Sequence, residues 1–466
     1  MKIEKNNPDL NRASYAKLSI LKENDTSKEE PAEPEATSET KVLIFNPKPV
    51  PEKSAFSNGV GAYGTFTVTN DISRYTNAAL FKTVGKQTPV LARFSIPYGS
   101  NELAFQERAP KELALKFFTD EGAWDMIGTN TPVLLTKTEE KHKEFIKLNN
   151  RDPKTNLKNP TKSWDFLSLT PEGLHHLMIL MSDRGTPRGY TNMDIFGVHT
   201  FSLVNANNEN VWAKFHFKTL QGVKTFTKEE AAEKYGNDND FVQRNLVESI
   251  TNNQFPKWKL FIQVMTDQEV RNFPFNPFDP TKTWSQKLFP LQEVGILELN
   301  KLPESYSKEI EHVLFDKNSM INGITLTPIN PYLSTTFCEP KPFGKETSPS
   351  DKEMDELNSK VKVNHYSQNT TLRQYSGGCL RIEKYFTEPN ASNINYVVSE
   401  NDHYSQARIL FKNVLMEPEK ASLVENIINS ISQINGPYKT SILHRLVKHF
   451  YRIDEQLGDS LSKVIL

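Results

Sequence analysis

Alternating apolar and polar positions recur from about residue 60 to residue 300 and predict β-strands. Eight runs rich in β-branched and aromatic residues carry this pattern: GAYGTFTVT, PVLARFSI, LALKFFT, WDMIGTNTPVLL, FGVHTFSLVNA, NVWAKFHFK, WKLFIQVMT and VGILELN. In NVWAKFHFK, for instance, Phe215 and Phe217 share one face, while Lys214, His216 and Lys218 share the other. Eight such runs favour a closed antiparallel sheet, although a sandwich would give a similar pattern. The segment TKEEAAEKYG predicts a helical insert between two of them.

The period of the pattern changes to that of helices from about Tyr404. Two apolar helical faces are separated by the helix-breaking NGP at Asn435–Pro437. The first face carries Leu423, Ile427, Ile428 and Ile431, and the second carries Leu443, Leu446, Val447 and Phe450. The end of the chain is therefore predicted to form a small helical domain.

Two segments are too polar to fold by themselves. Residues 1–45 contain NDTSKEEPAEPEATSETK and are predicted to be a flexible N-terminal arm. Residues 343–402 mix charge, Ser, Asn and Pro and are predicted to be a linker or wrapping segment. The remaining parts are a strand-rich core over residues 46–342 and the helical domain over residues 403–466.

The overall charge and cysteine content exclude several classes of protein. The 466 residues carry a formal net charge of -1, so no general field attracts nucleic acid or an anionic membrane. Two cysteines exclude a disulfide framework and favour a reducing compartment. The first residues lack a secretory h-region, no apolar run could span a membrane, and the final SKVIL is not an SKL-type signal. We therefore expect a cytoplasmic protein that binds neither nucleic acid nor membrane.

Two local patterns resemble functional motifs but fit structural roles better. GVGAYG at Gly59–Gly64 matches G-x-G-x-x-G, yet it precedes the alternating strand TFTVT and does not open a helix, which argues against a dinucleotide fold. His175 and His176 are adjacent and would point apart on a helix, so no zinc site is predicted from them.

Eight segments, taken in order, resemble the haem catalase family. They are GVGAYGTFTVT, PVLARFS, WDMIGTNTP, SDRGTPRG, HTFSLVNA, KFHFKT, FIQVMT and FPFNPFDPTKTW, within residues 47–340, and the end of the chain from Asp402 is also similar. The resemblance implies an α+β protein. Its catalase-like eight-stranded antiparallel β-barrel would carry helical inserts, a wrapping segment and a C-terminal helical domain. It also implies a homotetramer, and a peroxisomal location as the alternative to the cytoplasm.

The family's chemistry depends on four residues that this chain replaces. A histidine transfers the peroxide proton, an asparagine orients the peroxide, a tyrosinate binds the iron, and an arginine one helical turn earlier supports it. The matching positions here hold Phe56, Thr129, Glu339 and Thr335. Arg93, at a position that contacts a haem propionate in the family, is retained. These replacements predict a catalase-like pseudoenzyme that neither binds haem nor dismutates hydrogen peroxide.

A second site of the family is better preserved in the sequence. Some catalases hold NADPH on the barrel surface, and five matching positions keep the family's residue type: His175, Ser182, Arg184, Lys218 and Trp284. Arginine and lysine suit phosphate groups, and tryptophan offers an apolar face to a ring. Three positions depart from the pattern: Asp194, Phe196 and Gln286. Retention of NADPH binding and retention for the sake of the barrel both explain the match.

Three hypotheses about function follow. The first is the pseudoenzyme, with or without NADPH. The second is a divergent but active haem catalase or peroxidase that decomposes hydrogen peroxide. The third is a tetrameric structural protein.

Overall fold

The computed structural model describes residues 59–96, 108–326 and 402–465, except residues 150, 151, 153, 156, 198, 239, 312, 314 and 316–318. Phe56, Thr335 and Glu339 lie outside the described residues, as do the predicted N-terminal arm and most of the linker. The boundaries proposed for the four segments therefore stay predictions.

Among the described residues, ten strands form one sheet. They are β1 (Gly59–Val68), β2 (Gln87–Ser95), β3 (Glu112–Thr119), β4 (Gly122–Thr129), β5 (Ile195–Gly197), β6 (Phe201–Val204), β7 (Asn210–Thr219), β8 (Lys257–Met265), β9 (Gln292–Lys301) and β10 (Ile324–Leu326). The pairing runs β10-β6-β7-β5-β4-β3-β2-β1-β9-β8, and β8 returns to pair with β7. Eight strands thus close an antiparallel barrel, while β6 and β10 extend it from β7. The predicted barrel is confirmed.

The inside of the barrel is an aromatic core. Alternate residues of the strands point inward, as in β3, where Leu113, Leu115 and Phe117 are fully buried. Around Phe117, aromatic rings meet edge to face or stacked, with Trp124 at 5.0 Å and Phe66 at 5.7 Å between ring centroids. The many Phe and Trp of the strand runs therefore fill the barrel and leave its outer face to carry other side chains.

Two of the predicted strands differ in extent from the observed strands. The run FGVHTFSLVNA is divided into β5 and β6. Both strands pair with β7, but the chain leaves β4 after Gly197 and joins β10 from Phe201. The run WDMIGTNTPVLL ends as a strand at Thr129, and the polar Asn130 and Thr131 that follow begin a loop. Gly59–Gly64 belongs to β1, as the strand interpretation of GVGAYG predicts.

Ten α-helices lie outside the strands in the described part of the chain. They are α1 (Glu139–Asn149), α2 (Pro160–Leu169), α3 (Leu174–Met181), α4 (Lys228–Asn237), α5 (Phe241–Thr251), α6 (Asp267–Arg271), α7 (Ser405–Ile409), α8 (Glu417–Ile431), α9 (Lys439–Ile453) and α10 (Glu455–Ile465). The insert α4 begins with a capping box at Thr227 and Glu230.

The C-terminal helices share a core with the helices that follow β4. Leu423, Ile427 and Phe450 are fully buried in one apolar cluster with Trp164 and Met178. The break at Asn435–Pro437 lies between α8 and α9, as predicted. None of the described helices is long and apolar enough to span a bilayer.

Candidate functional site

A row of three polar side chains crosses the outer face of the barrel at one end of β2, β3 and β4. Ser95 pairs with Glu112, and Glu112 pairs with Thr129, so the three lie side by side across the strands. Phe94 and Leu113, which neighbour Ser95 and Glu112 in the chain, point into the core. We call Ser95, Glu112 and Thr129 the polar row.

The polar row is shielded from solvent and poor in hydrogen bonds. The Oγ of Ser95 and the Oε2 of Glu112 are buried and have no hydrogen-bond partner among the described residues. The Oγ1 of Thr129 lies 3.5 Å from that of Thr131, and Thr129 is 5% exposed. Burial raises the pKa of the Glu112 carboxyl to about 8, because the charged form loses its hydration. A buried acid of this kind is unusual outside functional sites.

An apolar surface with one buried cation continues the same face of the barrel. Arg93 is 3% exposed, and its Nη1 donates to the backbone carbonyls of Ile310 and Glu311 at 3.2 and 3.4 Å. The side chains around it form a separate apolar cluster: Leu91, Ala114, Ile127, Ile310 and Phe315. A Cβ on Gly61 would lie 2.5 Å from the Ile310 side chain, so glycine permits this close approach.

Four of the five residues predicted to bind NADPH line one cavity of about 1080 Å³: His175, Arg184, Lys218 and Trp284. Arg184 is exposed at its edge. The indole of Trp284 is 2% exposed, and its Nε1 donates to the Pro277 carbonyl at 2.8 Å. The structure therefore brings together residues that are up to 109 positions apart in the chain.

The fifth residue, Ser182, does not line this cavity. Its hydroxyl donates to the Ile179 carbonyl at 2.7 Å, and the residue is fully buried. It terminates α3 and has a structural role in the described chain. The three departures from the family's pattern, Asp194, Phe196 and Gln286, all line the cavity.

His176, adjacent to His175, points away from the cavity toward another part of the fold. Its Nδ1 lies 2.7 Å from the Val133 carbonyl, and burial lowers its pKa to about 4. No group of three metal-binding side chains occurs among the described residues. The two histidines point apart on the helix, as predicted.

The sequence motifs do not point to Ser95 or Glu112 as functional residues. Ser95 ends the segment PVLARFS, which was noted only for Arg93, and Glu112 immediately precedes the predicted strand run LALKFFT and belongs to no motif. The available signal was the acidic residue at the start of ELALKFFT, in a strand whose other outward positions are Ala114, Lys116 and Phe118. Only the strand register shows that Glu112 is beside Thr129.

Comparison with known proteins identifies the relatives of this chain. Residues 35–334 match the family described as "Catalase", and residues 398–465 match "Catalase-related immune-responsive". "Catalase A" of Pseudomonas putida is 38% identical over 440 residues, with 91% of each chain covered. "Catalase" of the Onchocerca volvulus endobacterium is 37% identical over 443 residues, again with 91% of each chain covered.

Solved structures agree with these matches. A structure described as "Structure of a bacterial catalase" aligns with a TM-score of 0.74 at 28% identity, covering 100% of this chain and 96% of the other. Catalase A from Saccharomyces cerevisiae aligns with a TM-score of 0.73 at 28% identity, covering 95% and 97%.

These matches contradict two of the predictions made from the sequence. The prediction of a pseudoenzyme with a lost haem site is wrong, because relatives named catalase match nine tenths of the chain at 37–38% identity. They support the alternative, an active catalase. The prediction that haem does not bind conflicts with the same family match. The physical error was to equate the loss of single side chains with the loss of a reaction, although other ionisable groups share the outer face of the barrel.

Proposed function

Because this chain belongs to the catalase family, we propose that it decomposes hydrogen peroxide as a divergent haem enzyme. One observation supports the proposal above the others. The family match spans the strands whose outer face combines the polar row, the buried Arg93 and an apolar cluster. These are the kinds of group needed to hold a macrocycle and to orient a peroxide beside it.

The described residues of this face fit haem. The apolar cluster around Ile127 and Phe315 suits a flat ring, and the guanidinium of Arg93 suits a propionate. When bound, haem supplies the redox chemistry, which side chains of this kind cannot supply. In this proposal Thr129 would orient the peroxide, and Glu339, which matches the family's ligand position in the sequence and lies outside the described residues, would hold the iron.

Oxygen release and haem absorbance test the proposal together. The full chain, produced with haem supplied, is expected to show a Soret band, stoichiometric iron and oxygen release from hydrogen peroxide. The Arg93→Leu variant is expected to hold less haem, whereas Arg188→Leu, on the exposed surface near α4, is expected to match the wild type. Protein that takes up no haem and releases no oxygen would contradict the proposal.

We also propose that the 1080 Å³ cavity binds NADPH. The specific observation in favour is that Arg184, Lys218 and Trp284 converge on one cavity with His175. Arg184 and Lys218 would contact phosphates, and the cavity wall would hold the ring systems. Ser182 is not included, since its hydroxyl is bonded inside the fold.

NADPH is expected to raise the melting temperature of the protein, because a ligand that binds the folded state stabilises it, by about 2.7 kcal/mol at a hundredfold excess over Kd. Arg184→Gln is expected to reduce this shift. Arg188→Gln is a matched control, since Arg188 is also exposed but lies outside the cavity and pairs with Glu230. An equal shift in both variants would contradict the phosphate role of Arg184.

Two finer features remain proposals. We infer a homotetramer from family membership. Sedimentation should then give a particle of about four times the 53.3 kDa chain mass. A particle with the mass of one chain would contradict the inference. We infer a cytoplasmic location from the scarcity of cysteine, which favours a reducing compartment. Fluorescent tagging of the intact chain tests it against the peroxisomal alternative.

A further inference from the structure

Glu112 combines a buried ionisable group with a position beside the proposed peroxide site. It is the direct cross-strand partner of Thr129, which places their Cβ atoms about 5 Å apart. Ser95 lies on its other side. The carboxyl therefore lies at the centre of this row, between the two hydroxyl-bearing residues.

The carboxyl has no evident structural purpose in the described residues. Its Oε2 is buried and accepts no hydrogen bond there. A structural acid in such a place would normally be paired, because an unpaired buried carboxylate is costly. Leu113 and Leu115, on the opposite face of the strand, already anchor β3 in the core.

The charged groups near Glu112 are directed elsewhere. Arg93, diagonal to it on β2, donates to backbone carbonyls of the segment Ser307–Glu311. The Nζ of Lys111 donates to the carbonyls of Ala109 and Gly185. Arg108 donates to three carbonyls at the end of α3. Accordingly, no charge contributes to the raised pKa of the carboxyl, which follows from burial alone.

We propose that Glu112 is the proton-transfer residue of this divergent catalase, replacing the imidazole that position 56 lacks. The inference rests on the proposed function. The carboxylate takes a proton from one peroxide oxygen, so that an O–H bond breaks and the Glu112 O–H bond forms. It then returns that proton to the other oxygen, which leaves as water when the O–O bond breaks. The chemistry that haem would supply when bound is to take up the remaining oxygen atom with two electrons; a second peroxide would give its two hydrogens to that atom, restore the electrons and leave as O2. Two peroxide molecules give two water molecules and one oxygen molecule, so no further reductant is required and Glu112 ends unchanged.

A carboxyl is suited to this step when its pKa is close to the pH at which the enzyme works. General acid–base groups work best in that range, and enzymes raise glutamate into it by burial. Thr129 would hold one peroxide oxygen by a hydrogen bond next to the carboxyl, and Ser95 lies on the other side of the carboxyl. Because the phenyl ring of Phe56 cannot transfer a proton, the proton transfer would be carried out by Glu112 of the polar row.

Glu112→Gln tests the proposal, since it keeps the shape of the side chain and removes the ionisable proton. The variant, loaded with haem, is expected to release oxygen at least about 100-fold more slowly, and Glu112→Asp is expected to recover part of the rate. Glu121→Gln is the matched control, because Glu121 is exposed in the turn between β3 and β4. Equal melting temperatures of the variants would show that folding is preserved.

A second readout does not depend on haem or activity. Infrared spectra of the haem-free protein at neutral pH are expected to contain a protonated-carboxyl band that Glu112→Gln removes and Glu121→Gln keeps. The band reports the neutral form of the carboxyl, which predominates below its pKa of about 8, whereas the ionised form that accepts the peroxide proton increases as the pH rises toward that value. Its absence in the wild type would overturn the assignment.

The possible results separate the two proposals. Oxygen release by the wild type with an unchanged rate in Glu112→Gln would overturn the role of Glu112 alone. A wild type that binds haem but releases no oxygen would overturn the proposed function and this inference with it. A slow Glu112→Gln variant with a normal Soret band and a lost infrared band supports both.

Discussion

The Nζ of Lys218 lies 2.8 Å from the Oδ2 of Asp194, so a cation that lines the large cavity is already paired with a carboxylate. The same ammonium group lies 4.7 Å from the centre of the Phe196 ring. Both partners occupy positions where the sequence departs from the family's pattern. In the proposed NADPH site, a phosphate must therefore compete with Asp194 for Lys218.

Asp194→Asn is expected to tighten NADPH binding by about two- to fivefold. The amide removes the competing charge, and a partly exposed ion pair contributes up to about 1 kcal/mol. Its Oδ1 can still accept the 3.0 Å hydrogen bond from the backbone N–H of Thr219. Titration of NADPH fluorescence measures the change, with the exposed Asp240→Asn as control. Weaker binding in Asp194→Asn would show that the carboxylate does not compete with the ligand.

The ion pair of Lys116 and Asp125 is predicted to be essential to the stability of the barrel wall. The two are cross-strand partners at 2.6 Å, with side chains 15% and 0% exposed. Asp125→Asn leaves a buried ammonium group without its counter-charge and is expected to cost about 3 kcal/mol in urea unfolding. The double variant Lys116→Met with Asp125→Leu is expected to regain most of it. In the exposed pair Lys86–Asp120, Asp120→Asn should cost about 1 kcal/mol or less, and an equal cost would contradict the argument.

The strands of the barrel could be predicted because the alternation of apolar and polar residues is a property of each short segment of the sequence. Alternation places Phe215 and Phe217 inside and Lys214 and Lys218 outside, whatever the partners of β7 are. The division of FGVHTFSLVNA could not be predicted, since it depends on which strands β5 and β6 join. The polar row is a similar case. Glu112 is 17 positions from Thr129 in the chain, and only the pairing of β3 with β4 makes them neighbours.

The functional prediction failed for a related reason. Phe56 and Glu339 were judged one position at a time against the residues they replace. The reaction that an active site can catalyse depends on all the side chains around the bound substrate, and some of these side chains belong to no sequence motif. Relatives named catalase match nine tenths of the chain, and Glu112, which belongs to none of the matching segments, adds a polar group next to Ser95 and Thr129.

Gly64→Ala is predicted to destabilise the barrel at the contact of β1 and β9. A Cβ on Gly64 would lie 2.0 Å from the Glu298 carbonyl oxygen and 2.9 Å from the Leu299 Cα, both of them backbone atoms. The strands must separate to admit it, at an expected cost of about 1–3 kcal/mol in urea unfolding. Gly236→Ala in α4 is the control, because nothing lies within 4 Å of its added methyl group. That variant should be neutral or more stable by up to about 1 kcal/mol.

His176 is predicted to make the protein sensitive to acid. Burial lowers its pKa to about 4 in the folded state, against about 6.5 when unfolded, so the unfolded chain binds the extra proton first. The contribution of His176 to stability is therefore complete above pH 6.5 and is lost as the pH falls toward 4, by up to about 3 kcal/mol. His176→Gln, whose amide can donate to the Val133 carbonyl that His176 contacts, is expected to flatten the dependence of the urea midpoint on pH over this interval. His444→Gln, on the exposed face of α9, should retain the wild-type slope. An unchanged slope in His176→Gln would assign the acid sensitivity to other groups.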